Sequence, residues 1–432
     1  MIQRLALTCL FISLTLMGAA KAQNLTIDLE VFGLNKNQFV TRQTLEAACA
    51  SISQSGAPTA AAEDLLSTCD ATLALDDEDP VLSEALDRLL PEEAFAISDA
   101  LTDASDLQIT NVNARINTLR EQQNASLNIQ DTIFPLTENN ITSHRLQNLE
   151  LFLSAQGSIG EINGNELQQD ADIEGNQITL GADYRLTKQF IVGTGIGIFR
   201  HETQFINTVG GSDIEGTNAT LYATYAREDL GYLDVVLDIG KNSFDFSRQI
   251  NIEGENQVLA TSTTDSSSVS LTVAIGKNFR FSAYELAPFA RLGLTTAEVD
   301  AYSEQADSTQ PGFGSILSIA PQSINSTTLS IGASMARVVN TSRFVLVPQI
   351  SLEAELQTDS EKDPLTAFFV ADPDQLAFSV IGETRDELYG NLGLGSTAIF
   401  ARGKSAFAYL ESRLAHDAVT QYWLKLGIRL EF

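Results

Sequence analysis

Tyr422-Trp-Leu-Lys-Leu-Gly-Ile-Arg-Leu-Glu-Phe432 alternates without a break. Strand side chains point to opposite faces in turn, so Tyr422, Leu424, Leu426, Ile428, Leu430 and Phe432 share one face. Trp423, Lys425, Gly427, Arg429 and Glu431 share the other. An unbroken apolar row opposite Lys and Arg suits a wall with lipid on one side and a polar lumen on the other. The stretch predicts the closing strand of an all-β transmembrane barrel.

The same grammar runs back to residue 148. Ile178, Leu180, Ala182, Tyr184 and Leu186 oppose Thr179, Gly181 and Asp183. Leu233, Val235, Leu237 and Ile239 oppose Asp234 and Asp238, and Ile350, Leu352, Ala354 and Leu356 oppose Ser351, Glu353 and Glu355. Charges repeating on one face of many strands predict a wet interior. Its charged residues would be Asp183, Asp234, Asp238, Arg291, Glu353, Glu355, Glu411, Lys425 and Arg429.

About twelve antiparallel strands are expected. Long links at 159–174, 204–213, 249–264, 300–322 and 358–383 alternate with short ones at Thr187-Lys188, Glu228-Asp229, Arg280-Phe281, Asn340-Thr341 and Arg402-Gly403. Loops sorted in this way belong to barrels with long outer loops and tight periplasmic turns.

The chain opens with Arg4, an apolar run from Leu5 to Met17 and Ala20-Lys21-Ala22. This pattern predicts a Sec-type secretory signal peptide over residues 1–22. No later run reaches the ~18 apolar residues of a spanning helix. Only a closed barrel could then cross a membrane without leaving strand edges unpaired in lipid.

The formal charge of −30 becomes −32 once Arg4 and Lys21 leave with the leader. So acidic a chain is excluded from nucleic-acid binding, which needs Lys and Arg clusters against phosphates. Exposed acidic loops kept soluble by their charge are the simplest reading.

Residues 23–147 read as a small α-helical segment. Thr44 to Ala50 and Ala61 to Leu75 carry helix formers, and Leu82, Ala85, Leu86, Leu89 and Leu90 have helical spacing. Glu63 to Asp106 holds fourteen acidic residues against Arg88 alone, the pattern of a solvated helix face. In an oxidising periplasm Cys49 and Cys69 are expected to form a disulfide.

With these pieces placed, the chain resembles the autotransporter β-domain, the translocator of type V secretion. Lys425, Gly427, Leu430 and Phe432 fit that family's barrel-assembly signal. Val347-Pro348-Gln349, Leu392-Gly393-Leu394-Gly395 and Tyr409-Leu410-Glu411 resemble its late strands. Asn111, Asn113, Arg115 and Arg120 resemble the linker helix ahead of the barrel, which in the family passes through the lumen.

The resemblance implies a division into leader (1–22), acidic helical region (23–106), linker (107–147) and barrel (148–432). It also implies an outer-membrane location in a Gram-negative bacterium, lipid, periplasmic chaperones and the barrel-assembly machinery as partners, and a monomer. Arg115 and Arg120 are expected either to pair with lumen acids such as Asp234, Asp238, Glu353 or Glu411, or to decorate a surface helix. The function implied is translocation or anchoring of a short N-terminal segment. A plugged porin-like channel and an adhesin working through its outer loops remain alternatives. In self-cleaving relatives an Asn side chain attacks its own backbone in the linker. Thr110 stands at that position here, so a single full-size band is expected on a denaturing gel, and two stable fragments would contradict it.

No chemistry is expected. His201-Glu202 lacks the second His of a zinc-protease helix, and no G-x-S-x-G elbow occurs. Asp170-Ala-Asp172-Ile-Glu174-Gly175 begins like a calcium loop, but its twelfth position is Gly181 in place of Glu. Gly193, Gly195 and Gly197 alternate in a strand and would leave room for a plug or permit strand curvature. No metal or cofactor is called for.

Overall fold

A computed structural model describes residues 34–56, 58–76, 79–95, 108–109, 112–113, 115–117, 119, 148–165, 167–206, 209–250, 258–358, 364–382, 386–401 and 404–431. The leader, Thr110, Asn111, Arg120 and Phe432 lie outside these residues.

Twelve long antiparallel strands close into a barrel. They are Leu149–Ile162, Ala171–Arg185, Phe190–Phe205, Gly211–Arg227, Gly231–Ile250, Val258–Gly276, Tyr284–Val299, Gln322–Arg337, Phe344–Gln357, Leu388–Phe400, Lys404–Leu414 and Val419–Glu431. Each pairs with its chain neighbour. The last strand closes the ring on the first, from Glu150↔Glu431 to Ile162↔Val419.

The exterior is apolar. Leu180 is 61% exposed and Ile196 66%, and Leu221, Ile331, Leu352, Leu410, Leu424 and Ile428 also stand out from the wall. A belt of this extent is tolerable only against lipid.

The strands differ in height. Gly231–Ile250 has 20 residues and Lys404–Leu414 has 11. At ~3.3 Å per residue and ~45° of tilt, the first rises about 45 Å and the second about 25 Å, against an apolar band of ~25 Å. The tall strands carry their outward alternation on in polar residues, Lys241, Ser243 and Asp245 after Leu237 and Ile239.

For this reason the sequence stretches 159–174 and 249–264 read as links, whereas strands extend into them to Ile162, Ala171, Ile250 and Val258. Above the lipid both faces of a strand meet polar surroundings, and the amphipathic signal fades. The calcium-like stretch lies largely in the second strand, where an extended backbone forms no ligand loop.

The loop end carries a lobe. Helices α1 (Lys36–Gln54), α2 (Ala60–Leu73) and α3 (Pro80–Asp87) are capped by Asn35, Thr59 and Asp79. Asn35 and Gln38 form a reciprocal capping box, and Pro80 opens α3 where its missing N–H costs nothing. The Cys49 and Cys69 side chains join α1 to α2, with their Cα atoms 6.4 Å apart. Replacing both with serine should lower the lobe's stability by ~3 kcal/mol in the chain-entropy account, read as an earlier melting of its helices. An unchanged melting point would deny the cross-link that role.

The long links at 300–322 and 358–383 contain a four-stranded antiparallel sheet. It orders Phe378–Val380, Leu365–Phe369, Leu317–Ile319 and Tyr302–Ser303. Strands of two to five residues give no periodicity to read. Helices and small sheet share one apolar core. Leu45, Ile52 and Leu65 meet Leu317, Ile319, Phe369 and Phe378 there, and Phe244, Val258, Ala297 and Val299 of the barrel rim continue it.

Candidate functional site: the lumen and its outer mouth

The described residues between 108 and 119 are helical and lie inside the barrel against its first five strands. Val112 and Ile116 pack on Phe152, Tyr222 and Val236, all buried. Gln108 Oε1 accepts hydrogen bonds from Thr179 Oγ1 at 2.8 Å and from Gln177, and its Nε2 donates to Thr220 Oγ1 at 2.6 Å. Thr220 in turn donates to Asp238 at 2.6 Å.

The wall is hollowed to receive the helix. A Cβ on Gly193 would strike the Tyr222 ring, and one on Gly197 would lie 2.8 Å from Gln108 Oε1. The glycine row is therefore a matter of close approach.

Arg115 is 2% exposed and bridges two strands. Its Nη2 donates to Glu150 at 2.6 Å, its Nε donates to Asp183 at 2.7 Å, and Nη2 also contacts Asp183. Tyr222 donates its hydroxyl to the other Asp183 oxygen. Glu150 also receives Arg429 at 2.7 Å and Arg185 at 3.7 Å. The guanidinium sits 5.3 Å from the Phe152 ring centre. So Arg115 meets Glu150 and Asp183 rather than the four acids suggested for it from sequence, and it does not decorate a surface helix.

Glu150 was missed as a lumen charge, although it alternates with Leu149 and Leu151. Which acids the helix reaches depends on the wall it leans against, and the glycines and rings decide that.

The rest of the wall holds the remaining inward charges. Arg291 pairs with Glu353 at 3.0 Å, Lys425 with Glu411 at 2.7 Å, and Tyr389 donates to Glu355 at 2.6 Å. Thr224 donates to Asp234 at 2.6 Å. Lys425 is 2% exposed, with its ammonium 5.5 Å from the Tyr409 ring centre. Gly427 lets the Phe407 ring lie against the backbone, while Leu430 faces outward. Asn113 is buried in the lumen.

At the mouth, Arg248 is buried and doubly bonded to Glu304, at 2.8 and 2.5 Å. It also donates to the Arg88 carbonyl at 2.8 Å, just after α3. Glu304 accepts the Leu317 amide at 2.7 Å. Asp64 of α2 accepts the amides of Gly312 and Gly314 at 3.0 and 2.7 Å. A Cβ on Gly314 would press on the α2 backbone, 2.7 Å from the Leu65 nitrogen. Asn37 of α1 exchanges two hydrogen bonds with Ile381, at 2.8 and 2.9 Å.

Burial pushes the Glu92 and Glu93 carboxyls up to about 8, and that of Asp87 up to about 6. Both glutamates are therefore mostly protonated at neutral pH. The pairings of these mouth residues were not legible in the sequence, because most partners lie on distant segments of the chain.

A family model described as the autotransporter β-domain matches residues 151–411, more than half of the chain. No curated protein matches it. Among solved structures, the translocator domain of autotransporter NalP from Neisseria meningitidis shares 14% identity. Its TM-score is 0.53, over 77% of this chain and 98% of that one. The β-domain of the Bordetella autotransporter BrkA shares 16%, with a TM-score of 0.46, over 66% and 100%. The strand count, the ring closure and the family match agree, and the chain belongs to the autotransporter β-domain family, whose barrels are outer-membrane translocators.

Proposed function

We propose that this barrel moves its own N-terminal segment to the cell surface and keeps it there as a cap. The observation that supports this most is the course of the chain. Residues 36–95 pack at the loop end, Gln108 lies at mid-barrel against Thr179 and Thr220, and Arg115 lies nearer the turn end against Asp183 and Glu150. The first barrel strand then rises from the turn end. A chain threaded in this way is what remains when a segment has crossed the lumen and stayed attached.

In this reading residues 1–22 are the leader, 23–106 the exported cap, 107–147 the linker and 148–432 the barrel. No step of catalysis is involved. The outer membrane of a Gram-negative bacterium is its site, and the protein works as a monomer. Lys425, Gly427, Leu430 and Phe432 address the closing strand to the assembly machinery after periplasmic chaperones deliver the chain.

An epitope inserted after Gln23 tests this. Antibody should bind it on intact cells. Binding only after the outer membrane is broken would put the segment in the periplasm and end the anchor reading.

A further inference from the structure

We infer that the turn end binds an acidic phospholipid of the inner leaflet: Arg343 and Lys404 take its phosphate, and a trough of small outward residues beside them takes an acyl chain. The inference rests on the barrel reading above but not on export of the segment.

Charge is sorted along the barrel. At the loop end Glu174, Glu202, Asp213 and Asp245 oppose one another on the outer face of four neighbouring strands. At the turn end Arg337, Arg343 and Lys404 are exposed and form no ion pair among the described residues. They sit on two neighbouring hairpins, which join the eighth strand to the ninth and the tenth to the eleventh. Acids are plentiful in a chain of net charge −30, yet none of those described answers these three cations.

Aromatic rings fix the height of the cations. Phe344 pairs with Phe400, with ring centres 5.6 Å apart, and Phe400 pairs with Lys404. At ~4.8 Å between strands, Lys404 lies about 10 Å from Phe344, the residue after Arg343. Two side chains of this length can converge on one phosphate above the rings. The Arg337 guanidinium lies on the flank, 5.3 Å from the Tyr284 ring centre. Rings at the edge of the apolar band, with cations beyond them, set the charges at headgroup height. A zwitterionic headgroup brings its own ammonium to unpaired cations, so an acidic lipid is preferred.

The trough runs from there towards the middle of the membrane. On the outward face Ala398 pairs with Ala406, and Ser396 with Ala408. Leu346, opposite Ala398, walls one side. Leu426 and Ile428, opposite Ala408 and Ala406, wall the other. Leu394 and Leu410, paired and exposed, close the far end. From Phe400 to Leu394 the strand runs about 20 Å, or about 14 Å of depth at ~45° of tilt. That is close to one leaflet of a ~30 Å hydrocarbon core. The small residues alone would be a matter of packing, but cations at the head of the trough give it the outline of one lipid.

Lipid retention tests the inference. The full chain is folded into vesicles of phosphatidylcholine mixed with phosphatidylglycerol, extracted in mild detergent and washed. Phosphatidylglycerol should stay on the unaltered protein in excess of its share of the vesicles. A basic residue near acidic headgroups contributes about fivefold, so Arg343→Gln/Lys404→Gln should cut the excess at least tenfold. Arg343→Lys/Lys404→Arg, which keeps both charges, should preserve it. Ala406→Leu fills the trough without touching a charge and should also cut it. Lys241→Gln removes an exposed cation nearer the loop end and should change nothing. Cold-gel mobility reports that each variant is folded.

Lipid held by the unaltered protein in vesicle proportions would overturn the inference. So would an equal loss in Lys241→Gln, or full retention in folded Ala406→Leu. None of these results bears on the surface-antibody test of export, so the two readings fail separately.

Discussion

Arg115→Ala is expected to lower the temperature at which the barrel loses its compact form on a cold denaturing gel by on the order of 10 °C. Arg115 is buried between Glu150 and Asp183, and its loss treats the two acids differently. Glu150 keeps Arg429 and Arg185. Among the described residues Asp183 is left with the Tyr222 hydroxyl and no cation, and stranding a buried charge costs roughly 3–5 kcal/mol. At a few degrees per kcal/mol for a chain of this size, that gives the stated shift.

The double variant Arg115→Ala/Asp183→Asn removes the stranded charge and should recover much of the loss. Arg115→Lys should fall between, because one ammonium cannot grip two carboxylates as a planar guanidinium does. A barrel that melts unchanged without Arg115 would show that the helix is held by packing alone.

The second large effect is a dependence of lobe docking on pH. Glu92 faces Asp87 and Gln169, while Glu93 faces Arg248, Glu92 and Glu304. Burial dominates, and both carboxyls hold their protons to about pH 8 in the docked lobe. Released into water, they would titrate near the usual 4.5. Between these limits the docked state binds more protons, so docking weakens as pH rises and levels off above about 8. Asp87 adds a smaller loss over a lower window, ending near 6.

Two such groups can amount to several kcal/mol in total. Hydrogen-exchange protection of α1 to α3, corrected for the intrinsic effect of pH, should therefore drop tenfold or more from pH 5.5 to 8.5. In Glu92→Gln/Glu93→Gln the drop should shrink. Protection that rises with pH would refute the account.

Much of the barrel was legible because lipid outside and water inside impose a period of two that few other environments enforce. Tyr422 to Leu430 and the alternating link lengths carried it. Legibility ended where that contrast ended. Above the lipid, Asp172 and Glu174 or Lys241 and Asp245 face water, and the strands passed for loops.

The inward charges could be assigned strand by strand, but not their pairing. Arg115 goes to Glu150 and Asp183 because Gly193 and Gly197 open that wall and Phe152 and Tyr222 shape it. The lobe was least visible. Its core joins residues some three hundred positions apart, such as Leu45 and Phe378, and no local pattern announces such a meeting.

The unequal strands give the rim a slope. On the flank of the 20-residue strand the wall stands ~20 Å clear of the apolar band, while on the flank of the 11-residue strand it ends near the lipid headgroups. The core of the lobe is continued by Phe244, Val258 and Ala297, which all sit on the tall side. The protein thus builds a parapet on one side only. On the low side the wall ends at the brief link 415–418, where the His416 ring lies 5.1 Å from that of Tyr389.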